Sequence, residues 1–405
     1  MNTNLYDLGF ALRESKVWEK IAEEEMFAVR LPGNEIGYCV VSGMQAQNKG
    51  LIVFTGTEGL SSLRKSHGEG EFCNGADPYA LDCVLVTWKE DREKLAENEV
   101  KALRAYCREK SIPFRSPFLH FARKLMNCVS RFTEAEEDEK KLEAALTVTL
   151  KVVEQIGIQG KDALGLKPIL LKMDEEIYGG FINGVSVIMS EEKVTIPLYT
   201  VEDGKLLQER IGLPPYVDLI KPPDHLDEGA LKQLMSRKQE KMVECDMTCM
   251  DITLEGDPLF HPSAFVMTDE DGLAVVFQTY DTPVYDPNKV LDSIIHEMSE
   301  GGVYPKVLCV RNRETRILME PLCRAAGIKL KVKNKLVYMD EVQKAIFEGY
   351  HDASPEDELK EVIQGLEALS DKEIRLLPNF AIKSLLEVKE LLPADLVRKL
   401  KKALR

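Results

Sequence analysis

Residues 243–250 read VECDMTCM, and residues 302–313 read GVYPKVLCVRNR. Each holds a short, largely apolar run edged by charge, Gly or Pro, the pattern of a buried strand. Working outward, a strand over 243–254 is followed by a strand over 264–268, a turn at 269–272 and a strand over 273–280. A helix begins after Asp286-Pro287 and runs to about residue 299. A strand over 306–310, a helix over 313–326, a strand over 328–333 and a helix over 339–349 complete the series. The order across 243–350 is βββαβαβα, an α/β module.

The N-terminal residues 1–157 predict a second α/β module. A helix over 5–25 carries Leu8, Leu12, Trp18 and Ile21 near one face. Strands over 26–31, 36–44 and 51–55 follow, separated by Pro32-Gly33-Asn34 and Asn48-Lys49-Gly50, as hairpins require. A short helix near 58–66 precedes a continuously apolar strand over 81–88 and a charged helix over 90–110. Thr133-Glu134-Ala135-Glu136 has the form of a capping box for a helix to about 156, where Leu142, Leu146, Leu150 and Val153 form one buried face. Three linked strands, a helix, strand 81–88 and the helix with Cys107-Arg108 parallel the C-terminal series, where Cys323-Arg324 follows strand 306–310. An ancient duplication is the expectation this raises.

Between the modules, 158–242 predicts a β-rich segment and a connector helix, with turns at Gly179-Gly180, Asn183-Gly184 and Asp203-Gly204. The helix of this segment falls at about 227–242. Beyond them, 351–405 reads as a helical appendage, with helix starts at Ser354-Pro355 and Ser370-Asp371 and a basic last turn.

The chain has 405 residues, 44% hydrophobic and 30% charged, a composition that excludes collagen, coiled coil and wholesale disorder. Its longest apolar run, Leu273 to Phe277, is five residues, far short of the roughly 20 a bilayer-spanning helix needs. No membrane partner is expected. A net charge of −15 works against binding nucleic acid over the whole surface, though a local basic patch is compatible with it. The opening MNTNLYDLGF has neither a basic leader nor an apolar core, so a cytoplasmic protein is expected, its nine cysteines reduced. Cys245 and Cys249 are the one close pair, and without a second pair they read as strand packing rather than a zinc site.

Two features resemble binding sites. Gly56-Thr57-Glu58-Gly59 follows a strand and opens a helix, but its spacing is neither a dinucleotide fingerprint nor a P-loop, and Glu58 repels anions. A tight turn is the plainer account. Residues 101–132 hold eight Lys or Arg against Glu109, with Tyr106, Phe114, Phe118, Phe121 and Phe132 interleaved. Basic residues among aromatics suit single-stranded nucleic acid, with Arg115, Arg123 and Lys124 as contacts. The acidic run Glu134 to Glu139 can neutralise them, leaving a solvated face. The six histidines form no H-x-x-x-H or H-E-x-x-H pair, and no G-x-S-x-G elbow is present.

The βββαβαβα order resembles the ribonuclease H-like fold of integrases and transposases. In GVYPKVLCVRNR followed by Gly327-Ile328 the chain is similar to the segment where G-x-P precedes a strand ending in Asp-Asn-Gly. VECDMTCM is similar to the first strand of those cores, with an Asp two residues before a Thr. The resemblance implies two divalent metals held by carboxylates of the first strand, the fourth strand and the last helix. Asp246 matches the first position. The second falls on Arg311, followed by Asn312 and Arg313, and a guanidinium repels Mg²⁺. The third is Glu341 or Glu348, and Glu297 is a further carboxylate of the first helix. The whole chain resembles uncharacterised bacterial two-module proteins, which implies no activity.

These readings converge on a non-enzymatic cytoplasmic binding or regulatory protein with a catalytically degenerate ribonuclease H-like module. It would hold no metal or cofactor and would meet a protein or nucleic-acid partner through Arg115, Arg123, Lys124, Arg311 and Arg313. The rival is a metal-dependent nuclease or phosphoryl-transfer enzyme that uses Asp246, Glu341 and Glu348.

Overall fold

In β3 (Gly50–Thr55), Leu51 and Val53 turn to one face of the sheet and Ile52 and Phe54 to the other. The neighbouring β4 (Cys83–Lys89) sends Val84, Val86 and Trp88 to the first face and Cys83 and Leu85 to the second. Helices cover both faces, which is why 83–86 is apolar at every position despite the two-residue period of a strand.

The computed structural model describes residues 3–43, 49–66, 81–133, 135–169, 194–214, 216–250, 253–256, 259–280, 286–348 and 392–403, with Ile363, Leu366, Ile374 and Leu386. The chain is of mixed α/β class and forms two compact units. The first is Met1–Lys221 with Thr253–His261, and the second is Pro222–Ile252 with Pro262–Arg405.

The first unit is built on an eight-stranded sheet. Its spatial order is β6 (Arg131–Phe132), β5 (Phe118–Lys124), β4, β3, β2 (Ile36–Ser42), β1 (Phe27–Arg30), β7 (Thr195–Glu202) and β8 (Lys205–Gly212). Every pair is antiparallel except β1 with β7, where Ala28 faces Leu198. One face packs on α1 (Thr3–Ser15), α2 (Val17–Lys20), α4 (Glu97–Glu109) and α5 (Glu136–Gln159), through Leu5, Trp18, Tyr106, Leu142 and Leu146. The other packs on α3 (Gly56–Ser66) through Leu60 and Leu63. The β7–β8 hairpin turns at Asp203-Gly204, both with positive φ (49° and 73°), the conformation a two-residue hairpin loop requires.

Several expectations change here. Residues 5–25 give two helices because Lys16 is left-handed (φ 50°). The capping box at Thr133 does not form. The residue before α5 is Ala135 with no side-chain cap, and Thr133 Oγ1 is buried without a partner. Four acids in the first turn complement the exposed N–H groups instead. The segment 158–242 is divided, its strands joining the first sheet and its helix, α6 (Glu228–Met235), lying in the second unit. That helix is shorter than 227–242, since Glu240 already opens a strand. Thr253–His261 clusters with the first unit, where Leu254 and Cys128 each bridge Phe260. The turns at 179–180 and 183–184 and the helix starts at 354 and 370 lie outside the described residues.

The second unit has a five-stranded sheet ordered β11 (Ala274–Tyr280), β10 (Ser263–Asp269), β9 (Glu240–Cys249), β12 (Pro305–Val310) and β13 (Lys329–Val332). The first three are antiparallel, whereas β12 runs parallel to both β9 and β13. α6, α7 (Pro287–Gly301) and α8 (Arg313–Ala326) cover one face through Leu234, Ile294 and Leu322, against Cys245, Phe265 and Leu308. α9 (Val337–Glu348) covers the other with Met339, against Val266 and Cys309. Asp286 caps α7 by accepting from Asn288 N–H, and left-handed Gly302 and Gly327 close α7 and α8. A further helix, α10 (Ala394–Ala403), packs Leu396 and Leu400 on Ile374 and Leu392.

The two sheets are not copies. β4 pairs antiparallel with β3, whereas its supposed counterpart β12 pairs parallel with β9, the first strand of its own series. The duplication expectation is therefore withdrawn. No described helix is long and apolar enough to cross a membrane.

Candidate functional site

Strand β9 alternates, so Met242, Glu244, Asp246, Thr248 and Met250 share the face toward α9. Two carboxylates therefore stand in an otherwise apolar layer, and both are buried, Glu244 at 1% exposure and Asp246 at 3%. Such groups persist in a core only when charge and hydrogen bonds compensate the lost water.

Asp246 is compensated from the neighbouring strand. In the parallel pairing Cys309 faces Glu244, which brings Arg311, two residues on, level with Asp246. Arg311 Nε and Nη2 both reach Asp246 Oδ2 at 2.7 Å. Its Nη1 donates to Asp340 Oδ1 of α9. The other oxygen, Asp246 Oδ1, accepts from Met247 N–H at 2.9 Å, from Asn312 Nδ2, and from Thr315 Oγ1 at 3.5 Å. Asn312 also caps α8, its Oδ1 accepting from Thr315 N–H at 2.7 Å. Burial opposes the guanidinium charge of Arg311, but Asp246 and then Asp340 outweigh it and hold the group above its ordinary range. Arg311 is a permanent cation.

Glu244 has its own counter-charge. Lys333 Nζ lies 3.0 Å from Glu244 Oε1, while Oε2 accepts from Tyr338 N–H at 2.9 Å and Met339 N–H at 3.2 Å. These are first-turn amides of α9, so Glu244 caps that helix from across the sheet. Burial disfavours the Lys333 charge, yet Glu244 beside it leaves the ammonium raised.

A divalent hard cation takes six or more oxygen lone pairs. A carboxylate offers about four, and Asp246 already receives five donors. Asp340, not Glu341, turns to this site, while Glu341 is exposed on α9. The side chain of Glu348 lies outside the described residues. Glu297 belongs to α7, on the opposite face of the sheet, and cannot converge with Asp246. Arg313 is half-buried at the start of α8. Among the described residues no cluster of three His, Cys, Asp or Glu side chains is placed to hold a metal.

In the first unit the basic–aromatic stretch is largely absorbed by the fold. Phe121 is fully buried, and Tyr106 stacks on Tyr6 at 4.8 Å. Arg123 pairs with Asp82 at 2.6 Å and approaches Asp138 of α5 at 3.9 Å, so it is not a free contact for nucleic acid. Lys124 is half-buried at the end of β5, its carbonyl accepting from Arg123. Arg115 alone of those three is exposed. Gly56 opens α3 with φ 64°, and Glu35 Oε1 would stand 3.0 Å from a side chain there. A second acid beside Glu58 makes that turn hostile to phosphate. Cys245 is fully buried, which pushes its thiol well up, and Cys249 is half-buried on the same strand.

Glu244, Lys333, Asp340 and Thr315 are the members of this site that the motif comparison misses. Glu244 carries a faint signal, an acid at alternate spacing from Asp246 inside an apolar strand.

Comparison with domain families finds two matches. Residues 3–163 match a domain of unknown function (DUF7309), and residues 230–347 match a second domain of unknown function (DUF6930). No curated protein matches the chain, and no solved structure does. The chain is thus a two-module α/β protein, each module similar to a domain family of unknown function.

Proposed function

We propose that this is a non-enzymatic cytoplasmic binding or regulatory protein whose second unit is a ribonuclease H-like scaffold with a guanidinium in place of metal. The scaffold reading is supported by the sheet order β11-β10-β9-β12-β13 with parallel β9, β12 and β13, the arrangement the resemblance implies. The non-catalytic reading is carried by one observation. Arg311 bridges Asp246 and Asp340, the carboxylates of first strand and last helix between which a metal would sit. A nuclease working through Asp246 would first have to strip five donors from it.

Titration calorimetry of the full chain with Mn²⁺ tests this. The expected result is no saturable heat that depends on Asp246. Stoichiometric binding that disappears in Asp246→Asn would overturn it.

A further inference from the structure

The first unit contains a cleft of about 320 Å³ where the end of α1 meets α4 and the chain leading into β5. Its walls include Phe10, Leu103, Phe114 and Phe118, and its polar lining includes Arg13 and Arg115. Phe114 and Phe118 lie 5.0 Å apart at a tilt of 47°, and the Arg104 guanidinium sits 5.0 Å over the Phe114 ring. Lys16 adds a third cation, while Glu14 is the one acid of the lining.

The charge placement is the informative part. Arg123 and Arg311 each pair with a carboxylate. The half-buried Arg13 and the exposed Arg115 make no side-chain hydrogen bond or ion pair among the described residues, and both line the same cleft. Two guanidiniums beside an aromatic wall match a ligand with an anionic head and a flat ring. The wall is also stiffened. Pro113 precedes Phe114 and Pro117 precedes Phe118, and Ile112 N–H bonds back to Cys107 C=O at 2.8 Å. Little ordering entropy would be lost on binding.

We propose that this cleft binds a single nucleotide unit, its base against Phe114 and Phe118 and its phosphate on Arg13 and Arg115. The unit has two sources, a free nucleoside monophosphate or the end of a nucleic-acid single strand. The site is independent of the Asp246 region.

The test is calorimetry of the full chain with adenosine, guanosine, cytidine and uridine monophosphates, inorganic phosphate, benzoate, and a short single-stranded oligonucleotide with a terminal phosphate. At least one mononucleotide should bind, and Arg13→Glu or Arg115→Glu should each weaken it by about tenfold or more, the loss of one charge-assisted contact. Arg115 is exposed, so its variant keeps the fold. Phe114→Leu should weaken the nucleotide while leaving inorganic phosphate unchanged. A free-nucleotide site binds the monophosphate as tightly as the oligonucleotide, and a strand-end site favours the oligonucleotide and loses it when the terminal phosphate is removed. Absence of binding by any nucleotide probe overturns the proposal. So does nucleotide binding no tighter than phosphate or benzoate, or binding indifferent to both arginine variants.

Discussion

Replacing Arg311 by Ala removes the two donors of Asp246 Oδ2 and the partner of Asp340, while the donors to Oδ1 stay. Breaking a fully buried ion pair from one side typically costs 3–5 kcal/mol. Here the Arg311 side chain is 16% exposed and Asp340 32%, so water reaches part of the vacated space and screens the charge left behind. The expected loss is about 2–4 kcal/mol in the second unit. The assay must separate the units. Both tryptophans, Trp18 and Trp88, lie in the first unit, so their fluorescence follows that unit alone. Hydrogen exchange over β9, β12 and α8, read with denaturant, reports the second. In Arg311→Ala those amides should lose protection while the tryptophan transition holds. Joint replacement, Asp246→Leu with Arg311→Met, should recover part of the loss, since an apolar pair tolerates the same burial while Met247 N–H and Asn312 Nδ2 lose their acceptor and Asp340 its partner. A cost below about 1 kcal/mol, or a double variant no better than the single one, would refute the claim that the guanidinium neutralises a buried acid.

Four other outcomes follow from the same structure. Gly50→Ala places a Cβ 2.2 Å from the Val86 carbonyl oxygen, so β3 and β4 must separate, and the tryptophan-reported stability should fall by about 1–3 kcal/mol. Gly212→Ala, with nothing within 4 Å, should be nearly neutral by the same measurement. His225 is flanked by Asp224 and Asp292, and its hydrogen bond to Asp224 followed by the Asp292 charge raises its pKa above 6.5. The stability it contributes is therefore complete below about pH 6.5 and is lost as pH rises through the raised native value, with an NMR titration midpoint that falls in Asp292→Asn. Burial pushes the Cys83 and Cys323 thiols up to about 12, so iodoacetamide at mildly alkaline pH should leave both unmodified in the native chain and alkylate them in denaturant.

Much of the second sheet was legible because its signals are local. Asp286-Pro287 marks a cap and a first helical residue, and Gly302 and Gly327 are the left-handed stops of the helices before them. The meeting of Asp246 with Arg311 was legible for the same reason, since strand register converts a count along the chain into a position in space. The last helix was less so. Asp340 and Glu341 are adjacent on α9 and point about 100° apart, and which one faces the sheet depends on helix phase, set by where Leu336 and Met339 pack. The pairing of Glu244 with Lys333 spans 89 residues and has no local mark at all. In the first unit, the composition of 101–132 does not separate the rings of Tyr106 and Phe121, which serve the core, from Phe114 and Phe118, which line the cleft.

The retention of two buried acids in a scaffold read as non-catalytic has a structural account. Glu244 receives the first amides of α9, and Asp246 receives Asn312, the residue that caps α8. Each acid therefore fixes the start of one helix to the central strand, and the two helices lie on opposite faces of the sheet. Apolar side chains would bury as well, but they would not specify where along β9 each helix must begin. Arg311 and Lys333 supply the positive charge that makes this arrangement stable. The carboxylate row thereby sets the register of helices against sheet.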